Sequence, residues 1–381
     1  MNHLLIGSGL AFVITYLAIP AIIRVAQMKK LYDLPDDERK LHLQPIPSLG
    51  GIAIFAGLII GWLFAAPTNT PYLQYIIAAL LVVFFLGLKD DIVVLTPLKK
   101  FLGQLIAAGI LVFKADIQIT GMHGFLGIQE MPYILSLLFT FLTIVVITNS
   151  FNLIDGVDGL AASLGIFSTL TFGVYFWVAN QPEHASLAFS MLGALIAFLI
   201  FNASPARIFM GDTGSLLLGF VNAILVIRFI ESSTANSALI SFEAAPAIGF
   251  AILFVPLIDT LRIFTFRMLK RRSPFSPDRN HVHHLLLAKG CSHTQVVACA
   301  VGFNIAVAAL AFACRHLNNT LLLLGLIGIG FTAIGVLIYT NRMKRKELYN
   351  KTFQKNASDS VTKIIPISQD SHATEKGELA R

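Results

Sequence analysis

Apolar runs of about 17–21 residues recur along almost the whole of this chain, each close to the length a helix needs to cross the hydrocarbon core of a bilayer. They fall near 3–23, 49–66, 72–88, 98–114, 132–151, 159–179, 185–203, 214–230, 245–264, 294–313 and 320–340, about eleven spans in all. Hydrophobic residues make up 56% of the sequence and charged residues 13%. That balance excludes an ordinary soluble domain and leaves an all-α, polytopic membrane helix bundle. One bundle over 1–341 is expected, followed by a polar, disordered cytoplasmic tail over 342–381.

The first run is too long for a signal-peptide core, has no basic segment before it, and is followed by Arg24, Lys29 and Lys30. It reads as an uncleaved span that starts outside. An odd number of spans then places the C-terminus in the cytoplasm. Of the 28 Lys and Arg residues, only Lys114, Arg228 and Arg315 would lie on the outer side, as the positive-inside rule requires. The net charge of +7 is therefore a matter of topology, and nucleic acid is not an expected partner. Cys291, Cys299 and Cys314 have neither metal-type spacing nor a shared depth.

The polar clusters all fall on the inner side. In Asn149–Leu160, Asn152, Asp155 and Asp158 recur every third residue, so a helical segment would put them on one face at the membrane boundary. Asp90 and Asp91 end the third run, and Lys99 and Lys100 open the fourth. Adjacent acids point about 100° apart on a helix. One is free to face metal or substrate while the other takes a partner or caps a helix. Arg39, Lys40 and His42 form a tight basic cluster suited to phosphate. Asn202 and the Gly211-Asp212-Thr213-Gly214 turn precede the eighth run, where a helix N-terminus favours phosphate or its metal, although Asp212 also suits an N-cap. A long loop carries Arg262, Arg279, His281, His283 and His284. Zinc is disfavoured there because the spacing is not closed. A diphosphate clamp and a solvated basic loop both remain open.

Taken together, Arg39-Lys40-x-His42 with Gly50-Gly51, Asp90-Asp91, Asn152-x-x-Asp155-Gly-Val-Asp158-Gly, Asn202 to Ser215, and His281-Val-His283-His284 closely resemble the bacterial polyprenyl-phosphate N-acetylhexosamine-1-phosphate transferases. The resemblance covers about residues 24–290. It implies transfer of a sugar 1-phosphate from a UDP-N-acetylhexosamine to undecaprenyl or another polyprenyl phosphate, with release of UMP, at the cytoplasmic face of a bacterial inner membrane. Family members require Mg²⁺, with Mn²⁺ a candidate substitute. The interrupted histidine motif looks like the UDP-N-acetylglucosamine branch, which starts O-antigen, common antigen or teichoic acid linkage units. Phospho-N-acetylmuramoyl-pentapeptide transferase is the related alternative, and a flippase the alternative of another class.

On that resemblance, Asp90, Asp91, Asp155 and Asp158 are the expected catalytic carboxylates, with Asp90 favoured to hold or deprotonate the acceptor phosphate. Asp212, with Asp91, is expected to carry the metal. Arg39, Lys40, His42, Lys99, Lys100, Asn152, Asn202, Arg262, Arg279, His281, His283 and His284 are expected to bind substrates. A homodimer is compatible with this reading.

Overall fold

The computed structural model describes residues 2–29, 46–234, 239–269 and 281–361. Arg39, Lys40, His42 and Arg279 lie outside the described residues. Residues 1–334 form one compact unit. Its helices are α1 (Asn2–Lys29), α2 (Gly50–Ala65), α3 (Leu73–Ile92), α4 (Pro97–Lys114), α5 (Tyr133–Ile154), α6 (Leu160–Val178), α7 (Pro182–Asn202), α8 (Gly211–Thr234), α9 (Ala245–Ile252), α10 (Phe254–Leu269), α11 (Val282–Ala288), α12 (His293–Ala313) and the first part of α13 (Asn319–Val361). From 335 onward the chain is a second unit. By itself it continues as helix to Val361, past the 341 boundary expected for the polar tail.

A helix stands at each expected span. Among the described residues seven are long and apolar enough to cross a membrane, or eight if α9 and α10 count as one bent span. The polytopic all-α class follows from this. The helices α3 and α4 owe their weaker apolar character to the charges at their ends: Lys89, Asp90 and Asp91 on one, Lys99, Lys100 and Lys114 on the other.

α8 is the centre of the unit. Every residue from Thr213 to Ile227 is buried, as expected of a helix that is apolar on all sides. α2, α3, α5 and α6 all pack against it. Lipid gives no hydrophobic drive for helices to associate, so close backbone approach has to come from small residues. Gly87 is such a residue. A Cβ there would lie 2.5 Å from Thr213 Cα. Gly87→Ala is expected to push α3 off the start of α8 and to cost about 1–3 kcal/mol of stability. A thermal melt of the purified protein checks this.

The ninth span is not continuous. α9 and α10 meet at 91°. Pro256 explains the break: it has no N–H to give to the carbonyl four residues back, that of Ile252, and its ring clashes with that oxygen in a straight helix. Asn304 of α12 replaces the lost bonds. Its Nδ2 donates to Ile252 O at 2.9 Å, and its Oδ1 accepts from Val255 N–H at 2.8 Å. Asn304→Leu would strand both backbone groups in a buried setting, at about 1–3 kcal/mol each. Lowered thermal stability together with lowered activity is the expected result. An unchanged melting profile would contradict this account of the bend.

A short hairpin also departs from the all-helix expectation. β1 (Gly121–Phe125) pairs antiparallel with β2 (Ile128–Glu130) between α4 and α5. It sits by the C-terminal end of α8, away from Asp212 at its start. Glu231 of α8 anchors it, accepting from Thr120 N–H at 3.0 Å and Thr120 Oγ1 at 2.7 Å.

Candidate active site

The C-terminal ends of α3, α5 and α7 and the N-terminal ends of α4, α6 and α8 lie on the same side, so their polar termini meet. Lys100 Nζ bridges three of them. It lies 2.6 Å from Asp212 Oδ2, 3.0 Å from Asp90 Oδ2 and 3.3 Å from Asn152 Oδ1. Asn152 Nδ2 donates to Asp212 Oδ1 at 2.5 Å and to Ser215 Oγ at 2.9 Å. Four helices thus hold one cation and two carboxylates in a single hydrogen-bonded group. The side chain of Asp212 is 31% exposed and that of Lys100 15%, so the group opens to solvent.

The two adjacent acids divide as the 100° rotation requires. Asp90 closes the turn after α3, accepting Leu95 N–H on Oδ1 at 2.6 Å, and keeps Oδ2 for Lys100. Asp91 instead caps α8: Oδ1 accepts Asp212 N–H at 2.6 Å, and Oδ2 accepts Thr213 N–H at 3.0 Å and Thr213 Oγ1 at 2.5 Å. Both its oxygens serve the first turn of α8, which opposes its expected place as a metal ligand. Gly211 makes the approach possible. Its φ is +70°, and any Cβ would collide with Ser48 O and the Asp91 carboxylate. The backbone approach at this turn is therefore to protein rather than to a ligand.

The expected common face of Asn152, Asp155 and Asp158 does not form, because α5 stops at Ile154 and a loop intervenes before α6. Each side chain goes its own way. Asn152 joins the lysine group. Asp155 has no hydrogen bond or ion pair among the described residues. Burial, followed by the charges of Asp212, Asp91 and Asp158, pushes its carboxyl up to about 8. Asp158 is turned away, accepting Ala206 N–H at 3.3 Å and lying 3.2 Å from His293 Nδ1. The His293 contact has ion-pair distance without hydrogen-bond geometry, so the backbone bond is the one that fixes Asp158. Asn202 is also structural in this arrangement: its side chain takes Gly159 N–H and gives to Ile208 O, both at 2.9 Å. Lys99, about 100° further round α4, is exposed and does not join the group.

Of the histidines, His281 borders the site, with Nδ1 2.9 Å from Asp259 Oδ2. His283 is buried against Gly156 in the loop after α5, and burial brings its imidazole down to about 3, with the charges of His284 and His281 adding to the effect. In this arrangement it packs on that loop and does not border the cavity where the helix ends meet. The His284 ring lies beside that of His283, 4.3 Å away. Arg262 is buried on Asp259 at 3.1 Å.

A cavity of about 870 Å³ opens where these ends meet. Asp90, Asp91, Lys100, Asn152, Asp212 and His281 form its polar wall. Phe101 and Leu105 of α4 with Phe141, Leu142, Val145 and Val146 of α5 form an apolar wall beside it. Arg267 also lines it, as does the Gln104–Asn149 pair, linked by Asn149 Nδ2 donating to Gln104 Oε1 at 2.6 Å. Sequence reasoning missed these three. Arg267 lies two turns beyond Asp259 on α10, and that spacing was the available signal. A second cavity, about 560 Å³, borders the hairpin at the far end and has no comparable cluster of carboxylates.

A family profile for glycosyl transferase family 4 matches residues 73–230, from α3 to α8, the helices that build this group. The chain is 32% identical over 320 residues to the probable undecaprenyl-phosphate N-acetylglucosaminyl 1-phosphate transferase of Bacillus subtilis, covering 81% of this chain and 86% of that protein. The chain belongs to glycosyl transferase family 4. The decaprenyl-phosphate N-acetylglucosaminephosphotransferase of Mycobacterium tuberculosis is 34% identical over 319 residues, 75% of this chain and 76% of its own. The undecaprenyl-phosphate alpha-N-acetylglucosaminyl 1-phosphate transferase of Escherichia coli K12 is 28% identical over 320 residues, 82% and 83%. Membership accords with the motif resemblance, and of the residues that carry it Asp90, Asp91, Asn152, Asp212 and His281 line the cavity.

Proposed function

We propose that this protein transfers N-acetylglucosamine 1-phosphate from its UDP-sugar to a polyprenyl phosphate, giving a lipid-linked diphosphate sugar and UMP. The observation that carries the reading is the single cavity with two unlike walls. One bears carboxylates and a lysine, and the other is an apolar surface of α4 and α5 suited to an isoprenoid chain. The names of the relatives from three bacteria point the same way. The site faces the cytoplasm, where the nucleotide sugar is found.

In this scheme the acceptor phosphate lies with its chain on the apolar wall and its head beside Lys100. The ammonium offsets its charge and holds an oxygen in line with the β-phosphorus. The new bond joins that oxygen to the β-phosphorus. The bond from the β-phosphorus to the bridging oxygen breaks, and its electron pair leaves on that oxygen with UMP. A phosphate monoester is already largely ionised at neutral pH, so little proton removal is needed. Asp90, bonded to Lys100, then acts chiefly by aiming that lysine. Asn152 holds the Asp212 carboxylate, and His281 faces the diphosphate.

Mg²⁺ is part of the proposal. The residues fit it: the donors are oxygens, and Asp155 is a carboxylate with acidic neighbours and no cationic partner among the described residues. Such an ion takes one or two protein carboxylates and completes its shell with water and substrate phosphates. Asp212 would hold it, with Asp155 in support. When bound it neutralises the diphosphate and the charge growing on UMP.

The test is UMP release by purified protein supplied with polyprenyl phosphate, Mg²⁺ and, in separate reactions, UDP-N-acetylglucosamine, UDP-N-acetylgalactosamine or the muramoyl-pentapeptide nucleotide. Turnover is expected with the first. Turnover confined to the pentapeptide nucleotide would replace this reading with the peptidoglycan one, and no turnover with any donor would reject it.

A further inference from the structure

We propose that Asp259 is the positioning residue for His281, keeping a proton on its Nδ1 and turning Nε2 to the cavity; the catalytic consequence rests on the transfer reading above. Asp259 lies in α10 and is 2% exposed. Its two oxygens have separate tasks. Oδ1 accepts the Val282 backbone N–H and Arg262 Nη2, both at 3.1 Å. Oδ2 meets His281 Nδ1 at 2.9 Å. Val282 N–H and the guanidinium are donors only, so the carboxylate is the acceptor on every side and Nδ1 carries the proton. Nε2 is then the nitrogen left to act in the cavity that His281 lines.

The Val282 bond matters as much. Val282 opens α11, and its N–H is one of the groups a helix start leaves without an internal partner. One carboxylate therefore fixes both the backbone that carries the imidazole and the imidazole's tautomer. The bend between α9 and α10 turns α10 onto α5, beside the cavity. Neither neighbouring histidine duplicates this arrangement: His283 is buried against Gly156, and neither it nor His284 borders the cavity.

Asp259→Asn separates the two tasks. Val282 N–H and Arg262 still demand an acceptor, so the amide oxygen stays with them and the NH₂ faces His281. Nδ1 must then accept, and the ring proton moves to Nε2. The first readout is ¹⁵N NMR of protein labelled at the histidine rings, with the His281 signals identified by their loss in His281→Gln. A proton on Nδ1 is expected in the unaltered protein, and on Nε2 alone in Asp259→Asn. An Nδ1 without a proton in the unaltered protein overturns the proposal, whether or not the variant folds.

The second readout is UMP release. Asp259→Asn is expected to lower kcat/KM for the UDP-sugar roughly ten- to a hundredfold, the range seen when the group orienting a functional imidazole is removed. The double variant Asp259→Asn, His281→Gln should be no worse than His281→Gln alone. Full activity in Asp259→Asn, or losses that multiply in the double variant, would overturn it. If even the unaltered protein releases no UMP from any donor, the transfer reading fails, and the NMR result still decides what Asp259 does.

Discussion

Lys100→Met is expected to lower UMP release by roughly 10²–10³-fold, the loss typical when a preorganised charge at a transferring group is removed. Methionine keeps the length and apolar stem of lysine and removes only the ammonium. Lys100 touches Asp90, Asp212 and Asn152 at once, so the substitution also leaves two carboxylates facing each other without the cation between them. Because the group is partly exposed, water will moderate that repulsion, and the protein is expected to remain folded. The effect should divide unevenly between substrates. KM for polyprenyl phosphate should rise more than KM for the UDP-sugar, because the ammonium is assigned to the acceptor. Initial rates with each substrate varied in turn check this. Equal rises in both would assign Lys100 to the diphosphate instead, and unchanged rates would remove it from the site.

Lys99, its neighbour, provides the control. It is exposed, about 100° round α4 from Lys100, and Lys99→Met should leave the rate within a factor of about two, as expected of a surface change away from any special contact. The sequence offered the two lysines as equals. Only the packing of α4 against α3 and α5 distinguishes them.

That contrast marks what was legible before the fold was known. Span length is a local property of composition, so helices were found at every expected position. The convergence of the polar span ends was legible too. Asp90, Asn152, Asp155 and Asp212 all sit where apolar runs begin or end, and alternation of the spans brings those ends to one side. Division of labour among neighbours was not legible. Asp90 and Asp91 have the same chemistry, and which of them caps α8 depends on a contact between residues far apart in the chain. Asn202 and Asp158 read as substrate and catalytic groups, yet both hold loop backbone. Asp259 was visible as an acid near Arg262 at the end of an apolar run, but its pairing with His281 is a contact between residues 22 apart that no local pattern announces. Pro256 was visible as a helix breaker, but Asn304, which satisfies the break, lies on another helix.

The second large effect separates two carboxylates that lie within one turn of α8. Asp212→Asn is expected to lower turnover by about 10²–10³-fold and to remove the response of the residual rate to Mg²⁺. The amide NH₂ must face Lys100 or Asn152, but the side chain is 31% exposed, Asp90 still holds Lys100 and the helix keeps its cap from Asp91, so the melting profile should move less than in Asp91→Asn. Asp91→Asn should do the reverse. Its oxygens receive two backbone N–H groups and a hydroxyl. An amide turns an NH₂ toward at least one of those donors and loses the charge that favours a helix N-terminus, at a cost of about 1.5–3 kcal/mol for charge-assisted bonds of this kind. The melt should fall while whatever activity survives keeps its dependence on Mg²⁺. Chelation supplies the common reference: the unaltered protein should lose turnover when Mg²⁺ is removed and recover it on addition, whereas Asp212→Asn should not respond. An Asp212 variant that still follows Mg²⁺, or an Asp91 variant that no longer does, would exchange the two assignments, and the metal would then have to be sought on the α3 side of the cavity.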